Sequence, residues 1–228
     1  MKLPYDAVTF DCFGTLVDWK LGQERVLEQF PSLRGQESSI GALIEARGVA
    51  ERELESGPWM PYQEVLAESI GLACERVLEV ELTPAEKRAF AAGQLGWPTF
   101  PDSQPALARL AAAVPIGLLS NCDAQTLRLA AHKHFRGVPV ALFVSSEEVR
   151  SYKPAHSHWG AALAALGMPA ERVLHVSFTR EYDLDSAHQL GFSLGFVARY
   201  KTAQPVDLPI AVAAADVAGL VQKILTPA

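Results

Sequence analysis

The sequence predicts an α/β fold: a parallel sheet with helices on both faces and a helical insert after the first strand. Three observations carry this. Short apolar, β-rich runs recur at Ala7–Phe10, Ile116–Leu119, Val140–Val144, Val173–Val176 and Leu194–Val197. Helix-like segments such as Asp123–Phe135, His156–Leu166 and Ser186–Leu190 lie between the last four of them, and strands alternating with helices form parallel sheets. Roughly a hundred residues separate the first two runs, far more than one crossover needs.

The long interval, Asp18–Trp97, is rich in Glu, Ala, Leu and Arg and lacks strand alternation, so it reads as a helical insert. Gly57, Pro58 and Pro61 interrupt it, and Gly96–Pro105 reads as the loop that returns to the core. In open parallel sheets the ligand site lies beyond the carboxyl ends of the strands. The polar residues that follow the apolar runs, Asp11, Ser120, Ser145 and Ser177, are therefore the first site candidates.

Composition sets the class. A chain of 228 residues has room for one large domain or a domain with an insert. Its 49% hydrophobic content and mean hydropathy of +0.10 are enough for a core. A net charge of −6 argues against a nucleic-acid partner, which calls for a basic face. It leaves room for a small anionic substrate in a locally cationic cleft. No apolar run reaches the roughly 20 residues that span a bilayer, and Arg109 breaks the nearest one, Ala106–Ser120. The N-terminal MKLPYDAVTFD is too short and too soon acidic for a secretory signal. Three cysteines without a CxxC pair exclude a disulfide scaffold or cysteine zinc site as the default and point to a reduced, cytoplasmic setting.

The strongest chemical signal is Phe10-Asp11-Cys12-Phe13-Gly14-Thr15-Leu16 at the end of the first strand. It places a carboxylate at the sheet mouth, a glycine for a tight turn, and a hydroxyl that can hydrogen-bond the carboxylate. Asp also favours strand-ending turns for its own hydrogen bonds. Three more features converge on the same edge. Ser120-Asn121 ends the second strand. Ser151-Tyr152-Lys153-Pro154 precedes a helix, with the proline fitted to a first turn and the lysine a cation aimed at a carboxylate. Ser177-Phe178-Thr179-Arg180-Glu181-Tyr182-Asp183 follows the fourth strand. Each has a plainer alternative: Ser120, Asp123 or Asp183 as a helix cap, and Lys153 as a surface charge.

The ordered set FDCFGTL, LLSN, SYKP and HVSFTREYD resembles the haloacid dehalogenase-like hydrolase superfamily across nearly the whole chain. Phe13, the Asp18-Trp19 pair and Ser120-Asn121 look most like its type II, (S)-2-haloacid dehalogenase group. The resemblance implies a Rossmann-like core of residues 1–17 and 98–228 with the first strand central, and a helical cap of residues 18–97. It implies Asp11 as nucleophile and Lys153 as the cation that keeps it ionised. Thr15 and Ser177 would position Asp11, Asp183 would orient Lys153 or water, and Ser120 and Asn121 would hold the substrate carboxylate. Dimerisation through the cap is implied as well.

Two phenylalanines shape the chemistry. Phosphatases of the superfamily carry a second aspartate where this chain has Phe13, and an Mg²⁺-holding acid where it has Phe178. A phenyl ring neither donates a proton nor ligates a hard cation. Carbon–halogen displacement needs neither, because halide leaves unprotonated. The expected reaction is therefore hydrolytic dehalogenation of a small 2-haloalkanoic acid through an aspartyl ester, with no metal and no cofactor. A phosphatase or phosphonatase, and a binding protein that keeps the fold without turnover, are the alternatives. The SFTREYD segment is one residue longer than the type II pattern, and Trp159 stands where that group has a tyrosine.

Further candidates are weaker. An arginine of the cap, Arg47 or Arg52, is expected to grip the substrate, although neighbouring glutamates also fit a solvated helix face. Trp19, Trp59 and Trp159 are candidates for an apolar pocket lining, against the usual packing role of tryptophan. The pairs His132/His134 and His156/His158 are spaced i,i+2 and do not share a helix face. His175, within an apolar strand, reads as a core histidine. Cys12 and Cys122 follow neighbouring strands, which raises an oxidation-sensitive thiol pair against the plainer reading of small apolar fillers.

Overall fold

The computed structural model describes residues 3–226. The chain divides into two compact units, residues 1–17 with 99–228, and Asp18–Pro98.

The first strand, β1 (Ala7–Asp11), is buried at every position, as a strand covered on both faces must be. The chain then enters the helical unit. Asp18 caps α1 (Trp19–Leu27) by accepting from the Leu21 amide. Next come α2 (Ile40–Glu55), α3 (Tyr62–Leu78) and α4 (Pro84–Gly93). Pro61 stands at the N-cap of α3, and Gly57 and Pro58 fall in the break before it, so the expected interruptions separate α2 from α3. Close packing requires Gly22: a Cβ there would lie 2.2 Å from the Trp97 ring.

The sheet unit resumes with α5 (Ser103–Ala111), β2 (Ile116–Ser120), α6 (Ala124–His134), β3 (Val140–Ser145), the short α7 (Ser146–Val149) and α8 (Ser157–Leu166). It continues with β4 (Val173–Ser177), a π-helical turn at Arg180–Leu184, α9 (Asp185–Gln189), β5 (Ser193–Val197), β6 (Ile210–Ala214) and α10 (Val217–Leu225). The strands form one parallel six-stranded sheet in the order β3-β2-β1-β4-β5-β6. The chain winds outward in both directions from β1, so β1 is the topological switch point and its carboxyl end opens the crevice.

Two expectations are corrected. The return loop is shorter than Gly96–Pro105, because Ser103 to Pro105 already form the first turn of α5. Pro154 is not in the first turn of α8, which starts at Ser157; it follows Lys153 in a turn of its own through a cis peptide bond. β6 and α10 were not anticipated. β6 is a half-buried edge strand made mainly of alanine, which leaves little β signature.

β1 and β4 pair in register, Thr9 opposite His175. Alternate residues face the same side of a strand, so Ala7, Thr9 and Asp11 share a face with Val173, His175 and Ser177. Ala7 and Val173 pack there with Trp159 and Ala162 of α8 and Ala187 of α9. The apolar layer under these helices thus becomes polar toward the carboxyl end of the same two strands. Among the described residues no helix is long and apolar enough to cross a membrane.

Candidate active site

Asp11 is the last residue of β1 and is 7% exposed. The loop after it is tight: the Leu16 and Val17 amides donate to the Cys12 carbonyl, and the Gly14 amide donates to the Val17 carbonyl at 2.7 Å. Gly14 takes φ +111°, a region that disfavours side chains. The turn carries Thr15 back over the strand end, where its hydroxyl donates to Asp11 Oδ2 at 2.9 Å. Thr15 Oγ1 in turn accepts the Phe178 amide at 3.3 Å, which ties the loop after β4 to the loop after β1.

Lys153 is the centre of the site. It is 2% exposed, and its ammonium donates to Asp11 Oδ1 at 3.0 Å, Asp183 Oδ1 at 2.7 Å and the Leu119 carbonyl at 2.7 Å. These use all three of its hydrogens. The surface-charge alternative for Lys153 is thereby overturned. Asn121 sets the lysine's backbone: its Oδ1 accepts the Lys153 amide at 2.7 Å and its Nδ2 donates to the Lys153 carbonyl at 3.2 Å. Ser186 donates to the next carbonyl, that of Pro154, at 2.6 Å.

Asp183, in the π-helical turn, is 1% exposed and is not a helix cap. Its Oδ2 accepts the Ser177 hydroxyl at 3.1 Å, and its Oδ1 lies 3.0 Å from His175 Nε2. Ser177 was expected to position Asp11. Its single hydrogen goes to Asp183 instead, so it reaches Asp11 only through Asp183 and Lys153. Ser120 is buried at the end of β2, and its carbonyl lies 3.2 Å from His158 Nε2. Ser145 is spent on structure: it forms a capping box with Glu148 at the start of α7.

The two carboxylates are driven apart. Burial raises the Asp11 pKa from 3.8 to about 6; Lys153 opposes the shift, and the charge of Asp183 adds to it. Burial acts on Asp183 as well, but Lys153 and His175 outweigh it and hold that carboxyl at about 2. Lys153 therefore does not lower the Asp11 pKa below its ordinary value, as expected from sequence, because desolvation exceeds its attraction. Asp11 becomes an ionised but poorly solvated carboxylate at neutral pH. Asp183 is the permanent counter-ion.

Several candidates stand elsewhere. Trp159, expected to line a pocket, is wholly buried in the layer beneath α8 and α9, with its ring 5.9 Å from Lys153 Nζ. It forms part of the wall behind the lysine. Phe13 and Phe178, both half-buried, follow β1 and β4 at the sheet edge. Trp19 and Arg47 belong to the helical unit, where Trp19 opens α1 and is half-buried. Arg47 is 3% exposed, so it is not on a solvated face. Its guanidinium pairs two-pronged with Glu51 at 2.9 and 3.1 Å, and its Nε donates to Gln23 at 2.8 Å. Arg52 is exposed on α2. Cys12 and Cys122 are both buried, and burial raises both thiols, Cys122 to about 12. Protonated thiols without access are poor oxidation targets, which favours the packing reading.

Four participants escaped the sequence reading. His158 and His175 have been placed above. Thr9 Oγ1 lies 2.9 Å from His175 Nδ1. Arg199 donates to the Thr15 carbonyl at 3.0 Å while pairing two-pronged with Asp102, and so braces the loop after β1. The period-two alternation of Thr9 with Asp11 on β1 and of His175 with Ser177 on β4 was the available signal for Thr9 and His175.

The phosphatase alternative calls for Mg²⁺ beside Asp11, held by oxygen ligands. The side chains here do not fit it: Asp11 and Asp183 are bridged by an ammonium and Phe178 offers no oxygen. Among the described residues no group of three or more His, Cys, Asp or Glu is placed to hold a metal ion.

The fold and the candidate site together are an open parallel α/β sheet with a buried Asp–Lys–Asp set at its switch point. More narrowly, the chain belongs to the haloacid dehalogenase-like hydrolase family, whose model matches residues 5–191. It is similar to an (S)-2-haloacid dehalogenase of Pseudomonas putida, 24% identical over 199 residues, covering 86% of this chain and 87% of that protein. A solved L-2-haloacid dehalogenase superposes with a TM-score of 0.83 at 26% identity, over 97% of this chain and 99% of that one. The structure of an L-2-haloacid dehalogenase from Xanthobacter autotrophicus with chloropropionic acid covalently bound has the same fold, with a TM-score of 0.81 at 18% identity over 98% and 100% of the two chains.

Proposed function

We propose that this protein hydrolyses the carbon–halogen bond of a small 2-haloalkanoic acid through an ester on Asp11, without a metal. The carrying observation is the pairing of a buried, desolvated Asp11 with Lys153 at 3.0 Å, beside phenylalanines where phosphoryl transfer wants acids.

In the first step one Asp11 oxygen attacks C2 in line, and halide leaves with the bonding pair. We assign the attack to Oδ2, which among the described residues accepts only from the neutral Thr15 hydroxyl. Oδ1 then becomes the ester carbonyl oxygen and keeps the Lys153 ammonium, which stabilises the oxyanion when water adds at the carbonyl carbon. Collapse of that adduct releases the 2-hydroxy acid and a proton and leaves the water oxygen on Asp11. Ser120 and Asn121 are proposed to receive the substrate carboxylate. Arg47 would have to exchange Glu51 for the substrate, so it is a lesser candidate.

The helical unit Asp18–Pro98 is the cap in this reading. Free, buried cysteines support a cytoplasmic setting. A homodimer is proposed from the resemblance to the type II group alone, and light scattering tests it. The function is tested by halide release from chloroacetate and 2-chloropropionate, beside Asp11→Asn. Single turnover in ¹⁸O water should place the label in Asp11, and label found only in the product would sink the ester. Turnover of a phosphate ester that is abolished by chelator would favour a phosphatase instead.

A further inference from the structure

We infer that His175, held in one tautomer by Thr9, is a positioning residue that fixes Asp183 and through it Lys153; this rests on the proposed reaction. The observations form one chain. Thr9 Oγ1 lies 2.9 Å from His175 Nδ1, His175 Nε2 lies 3.0 Å from Asp183 Oδ1, and that same oxygen receives Lys153 Nζ at 2.7 Å. Thr9 and His175 are wholly buried mid-strand residues, joined by register across β1 and β4.

The proton positions follow from chemistry. Asp183 is ionised and only accepts, so Nε2 carries the ring proton. Burial and the Lys153 charge keep the ring neutral, although Asp183 pulls the other way. Nδ1 is then a bare lone pair, and the Thr9 hydroxyl donates to it. No atom of this run is left unpaired, so the imidazole has a single orientation. Trp159 and Phe192 close it edge-on at centroid distances of 5.6 and 6.4 Å.

The arrangement has the order hydroxyl, imidazole, carboxylate, but Thr9 is inaccessible and cannot serve as a nucleophile. Its output is at the other end. Asp183 accepts from Lys153, His175 and Ser177, and losing one of these lets its carboxylate turn. That movement displaces the ammonium from Asp11 Oδ1, where the ester carbonyl is to be polarised. The effect falls on the chemical steps and not on substrate affinity.

The test compares His175→Phe, which keeps the ring packing and removes both polar atoms, with His175→Gln, whose amide can again donate to Asp183. Thr9→Val is the third variant. His175→Phe should lower kcat about tenfold or more with KM within about twofold, as for loss of a hydrogen bond to a charged group. His175→Gln should recover most of it, and Thr9→Val should fall between. Equal kcat in His175→Phe and the parent, or equal defects in the Phe and Gln variants, overturns the inference. Ring ¹⁵N NMR of the full chain reads the tautomer without any substrate. Nε2 should be protonated and Nδ1 not, unchanged from pH 6 to 8, with the Nε2–H resonance moved by Asp183→Asn. A protonated Nδ1, or a resonance indifferent to Asp183→Asn, refutes it even if no haloacid is turned over.

Discussion

As the proposed nucleophile, Asp11 combines two requirements that pull against each other. A nucleophile must be ionised, yet a desolvated carboxylate attacks better than a hydrated one, and burial that desolvates it also raises its pKa to about 6. Only the ionised form attacks, so turnover should fall roughly tenfold per pH unit below about 6 and level off above it. A pH–rate profile of kcat/KM checks this, and an acid limb near pH 4 would mean that Lys153 outweighs burial after all. Lys153→Ala should abolish turnover and cost about 3 kcal/mol or more, because it strands two buried carboxylates. Urea unfolding gives the second number. Asp11, Thr15 and Lys153 stood out in sequence because each sits at a strand end or in a short motif, whereas Asp183 by itself read as a helix cap and only the family resemblance singled it out. His175 was not, because a histidine in an apolar strand looks the same whether its partner is a carboxylate or an idle hydroxyl.

At the scale of elements, carboxylates of ordinary helix caps do much of the positioning. Glu86, three residues into α4, accepts from the Ser32 amide and hydroxyl and from the Thr83 amide and hydroxyl at 2.7–3.0 Å. These bonds hold it at about 2, below its ordinary 4.5. Glu86→Ala should cost the helical unit about 1–2 kcal/mol in urea unfolding with little change in kcat. A large fall in kcat at unchanged stability would contradict that purely architectural part. The core strands were found to within a residue or two because continuous apolar runs bounded by turns leave few options. The edge strand β6 was missed for the opposite reason, since an alanine-rich, half-exposed run has no such signature. The π-helical turn at Arg180–Leu184 coincides with the segment whose sequence reads as one residue longer than the type II pattern. A wider turn absorbs an extra residue while Asp183 still reaches Lys153.

For the whole molecule, the buried titratable groups predict an acid response with a definite sign. His158 stays neutral in the fold to about pH 3, against 6.5 when unfolded, so stability is lost as pH falls through that interval. His175 is shifted the same way. Asp11, raised from 3.8 to about 6, works in the opposite direction: the folded state takes up that proton first, and acidification from pH 6 to 4 gains stability from it. Asp183 adds a loss between 3.8 and about 2. With two histidines against one aspartate, the unfolding free energy should decline from pH 7 to pH 4. His158→Leu should flatten the decline, and Asp11→Asn should steepen it. Denaturant titrations at several pH values check both slopes, and a steeper decline in His158→Leu would show that His158 is charged in the fold.

The amino-acid sequence by itself determined the α/β class, the helical insert and the four motifs at the sheet edge, since apolar period, glycine turns and strand-end positions are local properties. Tertiary structure alone decided which partner each polar group received. It gave the Ser177 hydroxyl to Asp183, the Asn121 amide to the lysine backbone, the Arg47 guanidinium to Glu51, and Trp159 to the core. It also reversed the expected direction of the Asp11 shift. Partner choice and desolvation depend on groups brought together from distant parts of the chain, such as Asp11 and Lys153, which are 142 positions apart.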